Sequence, residues 1–250
     1  MANKSKRPGY DPKLAGRRRD RAFQIGITLI VVVFAVVVIG YILISHDKKS
    51  EHAGRAVRVT SSKLVTKEGT KDPKAVVSFY EDFLCPACGN FERTFGPTVS
   101  RLIDSGAIAA DYYMVGILSS PHNDDYSTRA GAAAYCVADE NLDAFRRFHT
   151  ALFTQQLQPS ETGSKFPDNA ELIERAREAG VVGKVPDCVK SGKYIPLVEG
   201  MAAATNIHAT PTIRINGQDY TPSTPDALVA KIKEIVGNVP GLDTAATPAS

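Results

Sequence analysis

The sequence predicts an α/β domain that carries a helical insertion and is preceded by one transmembrane helix. Three observations carry that expectation: an uncharged run over residues 22–44, the element order βαβ, helices, ββα, and a Cys-Pro-Ala-Cys where the first strand meets its helix. The 250 residues are 43% hydrophobic and 23% charged with no Trp, which excludes a collagen-like or wholly disordered chain. Four Cys are too few for a disulfide-dense mini-scaffold. The net charge of +3 hides an asymmetry, because residues 1–21 alone carry +6 and the rest of the chain is acidic. The basic balance therefore belongs to the tail and gives the main domain no nucleic-acid signature.

The first element is the apolar run FQIGITLIVVVFAVVVIGYILI, which as a helix reaches about 33 Å, enough to cross a hydrocarbon core of roughly 30 Å. A cleavable signal peptide has a shorter apolar core and a small-residue cleavage site, and neither is present here. Arg17, Arg18, Arg19 and Arg21 orient the run by the positive-inside rule. The expected organisation is a basic cytoplasmic tail (1–21), an anchor (22–44) and a linker (45–55). A folded domain follows over 56–118 and 206–238, interrupted by a helical insertion over 119–205, with a disordered tail at 239–250. Everything after the anchor then lies extracytoplasmically at the cell membrane, where disulfides persist.

Residues 75–84 (AVVSFYEDFL) are β-branched and aromatic and read as a strand buried on both faces. Phe91, Phe95, Val99, Leu102 and Ile103 then recur at helical spacing, Gly106 stops the helix, and 107–117 reads as a second strand. Helices are expected over 125–138, 142–155, 169–179 and 195–205, with Asp168 as N-cap and Gly180 past the end of the third. TIRIN (212–216) returns to strand, and Asn216-Gly217 signals a type I′ hairpin into 218–221. Thr224 and Pro225 start a last helix over Pro225–Val236, which Gly237 ends.

Cys85 and Cys88 flank Pro86 and Ala87 at the start of the first soluble helix. Free N–H groups and the helix dipole favour a thiolate there, and the thiolate is the species that attacks and leaves in disulfide exchange. Two intervening residues let the second sulfur close back on the first. This chemistry requires Cys85 to be accessible. A zinc half-site is the main rival, but no second Cys pair or close His-x-x-x-His exists among His46, His52, His122, His149 and His208, so no metal is expected. An inert structural disulfide is the other. If the first pair is redox-active, Cys136 and Cys188 are left to bond to each other across 52 residues of chain.

CPAC after a strand, the helical insertion and Ala209-Thr210-Pro211-Thr212 before TIRING resemble the DsbA group of thioredoxin-fold disulfide oxidoreductases. The likeness is nearest to membrane-anchored actinobacterial members, which share the second cysteine pair, and it covers about 57–236. It implies a thioredoxin-like fold, no cofactor, and a cis Pro211 facing the CxxC, so that Thr210 can pair with an extended substrate strand. The chain departs from the pattern twice. DsbA has His where this chain has Ala87, which has neither charge nor donor, so Cys85 should be less acidic and the reduction potential should fall between about −270 and −120 mV. The buried acid that thioredoxin and DsbA hold six residues before the first Cys is Phe79 here, which leaves Asp82 and Glu81 as candidate proton-transfer acids.

The expected function is donation of the Cys85–Cys88 disulfide to unfolded exported proteins. By analogy, reoxidation falls to a membrane quinone-linked oxidase of the DsbB or vitamin-K-epoxide-reductase type. The rivals are a reductase or isomerase of the same fold and a non-catalytic thioredoxin-fold binding module or chaperone.

Overall fold

A computed structural model describes residues 54–242. The expected basic tail, the anchor over 22–44 and most of the linker lie outside the described residues, as do residues 243–250. Among the described residues no helix is long and apolar enough to cross a membrane.

In chain order the elements are β1 (Val57–Val59), β2 (Val76–Glu81), α1 (Pro86–Asp104), β3 (Ala109–Met114), α2 (Tyr126–Glu140), α3 (Leu142–Leu152) and α4 (Asn169–Glu178). Then come α5 (Val185–Lys190), α6 (Ile195–Thr205), β4 (Thr212–Ile215), β5 (Gln218–Asp219) and α7 (Pro225–Val236). The βαβ, helices, ββα order is the one expected, with β1 and α5 added. Both additions are short, three and six residues, so neither sets up a periodicity in the sequence. The helix expected to reach residue 155 stops at Leu152, and the chain turns over Thr154, whose carbonyl accepts from the Leu157 and Gln158 N–H groups.

The five strands run in the order β1-β3-β2-β4-β5. β2 and β3 are parallel, as a helical crossover through α1 requires, and the other pairs are antiparallel. β2 is therefore central, which explains why its burial does not alternate: Val77 and Phe79 are fully buried, and Ser78 and Tyr80 nearly so. Register stacks aromatics on both faces of the β2–β3 pair, Phe79 against Tyr112 at 5.2 Å and Tyr80 against Tyr113 at 4.5 Å. The β4–β5 hairpin closes through Asn216 and Gly217, both at positive φ (49° and 83°), the combination that a type I′ turn demands.

Phe79 also meets Phe91 of α1 at 6.0 Å, and Tyr112 meets Phe145 of α3 at 5.5 Å, so α1 and α3 share that face of the sheet. α7 packs beside α1. α2 is the hub of the insertion, contacting α3, α4, α5, α6 and β3, and the Cys136–Cys188 disulfide ties it to α5. The boundary expected for the disordered tail needs correction: Val239 and Leu242 are 6% and 4% exposed and pack into the core, so the ordered chain continues through Leu242.

Candidate active site

β2 delivers the chain into α1 through a short turn, and Cys85 is the N-cap of α1, with extended backbone and Pro86 at the first helical position. The Cys85 sulfur accepts the Cys88 backbone N–H at 3.4 Å. A proline fits there because its missing N–H would have no partner in the first turn anyway. Both active-site cysteines are thiols in this structure.

The second wall comes from the far end of the chain. β4 pairs antiparallel with β2, with Thr212 opposite Tyr80, and this register brings Thr210 to the start of α1. The Thr210–Pro211 peptide is cis, and the Cys85 thiol lies 3.4 Å from the Thr210 carbonyl oxygen, to which it donates when protonated. That enclosure corrects the expectation of a freely accessible cysteine, because Cys85 is only 6% exposed. Pro86 and Ala87 beside it are exposed and Thr210 and Pro211 half-buried, so the sulfur lies just behind a rim that these four residues form.

The two sulfurs are electrostatically opposite. Cys85 is lowered from 9.0 to about 5, first by the hydrogen bond from the Cys88 thiol, against the cost of burial, then by the Thr210 side chain and the Cys88 and Ala87 backbone. Cys88, fully buried, is pushed far up by burial, by its bond to Cys85 and by the charge of Glu81. One sulfur is therefore a ready thiolate and the other a thiol that resists ionisation.

Glu81 and Asp82 both point inward, at 2% and 0% exposure. Asp82 is a structural clasp: its carboxylate accepts from the Leu84 and Leu118 backbone N–H groups, both at 2.9 Å. Burial still raises it to about 6, opposed by Ser127 and those two N–H groups. Glu81 belongs to a group whose other members, Glu92 and His149, come from α1 and α3. His149 Nε2 lies 2.9 Å from Glu81 Oε2, and His149 Nδ1 lies 3.9 Å from Glu92 Oε2. Phe83, Tyr112, Phe145 and Phe153 surround the imidazole. Burial raises Glu81 to about 8, with Glu92 as a stabilising donor, raises Glu92 well above its usual value and lowers His149.

Glu81, Glu92 and His149 each bring one ligand-type atom within 4.8 Å of the others. The group is sealed, with Glu92 the most exposed member at 8%, and Glu81 Oε2 is already engaged by the ring. That geometry suits proton sharing better than a metal that needs an entry path. The sequence held the signals, since Glu92 is one turn beyond Cys88 on α1 and His149 interrupts the apolar face Ala144, Phe145, Phe148, Leu152 of α3.

A central strand running into a helix-capping CxxC, faced by a cis proline ahead of an antiparallel hairpin, defines a thioredoxin-fold thiol–disulfide exchange protein. A family model described as thioredoxin matches residues 65–234, and the chain belongs to that family. Within it the chain is a DsbA-like thiol–disulfide oxidoreductase. It is 72% identical to the solved structure of reduced DsbA from Mycobacterium tuberculosis, with a TM-score of 0.75, covering 76% of this chain and 96% of that one. It is 71% identical to a structure described as a reduced disulfide bond oxidoreductase, DsbG, from the same organism, with a TM-score of 0.76, covering 81% of this chain and 98% of that one. Curated relatives described as the serine/threonine-protein kinase PknE of M. tuberculosis are 31% identical over 144 residues, 57% of this chain. The chain spans only 25% of their length.

Proposed function

We propose that this protein is an extracytoplasmic disulfide donor, held at the membrane by residues 22–44, that oxidises newly exported proteins through Cys85. The pairing of an easily ionised Cys85 at a rim with a sealed, hard-to-ionise Cys88 carries this reading. Such a site gives up its disulfide readily, because Cys85 is stable as the thiolate that remains after transfer.

A substrate thiolate attacks Cys85 Sγ, the Cys85–Cys88 bond breaks, and Cys88 takes the electron pair as a buried thiolate. A proton must reach it, and Glu81 is the acid whose charge Cys88 feels. In its neutral form Glu81 can supply that proton, and the resulting carboxylate is met by donors from Glu92 and the His149 ring. A second substrate thiolate then attacks the substrate sulfur of the mixed disulfide, and Cys85 leaves as the thiolate. Two electrons have passed to the protein, which ends as the dithiol. The basic flank before residue 22 supports the topology. Reoxidation is assigned to a membrane quinone-linked oxidase of the DsbB or vitamin-K-epoxide-reductase type.

The test is refolding of a reduced, unfolded disulfide-containing substrate by the oxidised protein. Activity should be regained with wild type and lost with Cys85→Ser. Equal recovery with Cys85→Ser would favour a binding module, and cellular Cys85–Cys88 trapped mostly as dithiol by an alkylator would favour a reductase or isomerase.

A further inference from the structure

Between α3 and α4 the insertion sends one side chain back to the redox turn. Gln158 Nε2 donates to the Cys85 carbonyl at 2.9 Å and to the Phe83 carbonyl at 3.3 Å, bridging the turn on both sides of Leu84. Its other end is held as well: Arg93 Nη1 on α1 donates to Gln158 Oε1 at 3.2 Å and to the Phe153 carbonyl at 2.8 Å. The Gln158 N–H closes its own turn onto the Thr154 carbonyl at 2.9 Å.

The first turn of α1 makes room for this crossing. A Cβ built on Gly89 would fall 2.0 Å from Gln158 Oε1 and 2.7 Å from Arg93 Nη1. Gly89 lies inside the helix without a positive φ, where alanine is the better helix former, so helix formation alone gives no reason for a glycine there. The close passage of Gln158 does.

We propose that Gln158 is a positioning residue for the redox turn, a strap from the helical insertion that fixes the Cys85 N-cap against α1, and that Gly89 is glycine to let it pass. The inference rests on the reading of Cys85 as the exchanging thiol. Cys85 keeps its charge through donors whose geometry the turn sets, the Cys88 N–H at 3.4 Å and the Cys88 thiol. A loosened turn weakens them. The charged and titratable groups around that sulfur are Cys88, Glu81 and Asp82, and none of them touches Gln158 through a hydrogen bond in this structure.

The experiment measures Cys85 ionisation in the reduced full-length protein, by the ultraviolet absorbance of the thiolate across pH. Gln158→Leu keeps the bulk and removes the donor. Gly89→Ala keeps Gln158 and evicts it, since the end of a flexible side chain moves more readily than a helix backbone. Each should lower the acid dissociation constant of Cys85 about threefold or more, roughly half a pKa unit. Gly89→Ala should do so without loss of unfolding stability, a combination that a merely structural role does not produce. Because both changes break one strap, the double variant should match the singles rather than add to them. Wild-type ionisation in either single variant, or additive shifts, would overturn the proposal. Refolding activity that depends on Cys85 would survive that result, so failure of the strap and failure of the exchange reading are separable.

Discussion

An ordinary cysteine thiol titrates near pH 8.5, and a carboxylic acid near 4. At this site the order is reversed, with Cys85 lowered to about 5 and Glu81 raised to about 8. The two shifts have opposite consequences for stability. In the reduced protein the Cys85 contribution is complete above the usual thiol range and is lost as pH falls towards 5. Glu81 favours the folded state while neutral, so its contribution is complete below 4.5 and is lost as pH rises through about 8. Asp82 behaves like Glu81 but has finished by about 6. In the oxidised form, where Cys85 does not titrate, Glu81→Gln should lose less stability than wild type between about pH 6 and 8, because Glu92 is then the one raised carboxyl left beside His149. Denaturant unfolding of both proteins at the two pH values checks this, and parallel losses would contradict it. The residues that set these values were unevenly legible. Cys85, Cys88 and Pro211 stand in a short spaced pattern. Glu92 and His149 come together from α1 and α3, 57 residues apart in sequence, and only the packing of those helices on one sheet face joins them.

At the scale of elements, the strongly periodic or well-capped pieces were readable. α6 and α7 run over the expected residues, and α7 shows why: the Thr224 hydroxyl accepts the Ala227 N–H at 3.1 Å, Pro225 follows, and Gly237 sits at φ 82°. β1 and α5 exist through tertiary pairing rather than local pattern, β1 by adding to the β3 edge and α5 through the Cys136–Cys188 bond. That bond closes a loop of 52 residues, which in the chain-entropy model contributes about 4 kcal/mol. Cys136 is 1% exposed and the bond lies within the helical block, whereas Cys85 has an exposed rim. Dithiothreitol concentrations that fully open Cys85–Cys88 should therefore leave Cys136–Cys188 intact, as mass-resolved alkylation would report. Simultaneous opening of both pairs would refute the division into a working disulfide and a structural one.

Across the whole molecule, three distant stretches converge on one sulfur. The central strand β2 leads into its helix, the segment before β4 supplies Thr210 and the cis Pro211, and the insertion supplies Gln158 across the turn and His149 against Glu81. The sequence showed the first two of these and the existence of the insertion, but not that the insertion reaches the site, because no local pattern encodes which loop of a helical block faces the sheet. The convergence has one chemical purpose, to hold Cys85 as a thiolate while Cys88 stays protonated. The most direct measurement is the pH titration of thiolate in the reduced protein, with Cys88→Ala alongside. Half-ionisation of Cys85 near pH 5 in wild type, moved upward when the Cys88 donor is removed, is the predicted result. A single transition near 9, unchanged by Cys88→Ala, would contradict it.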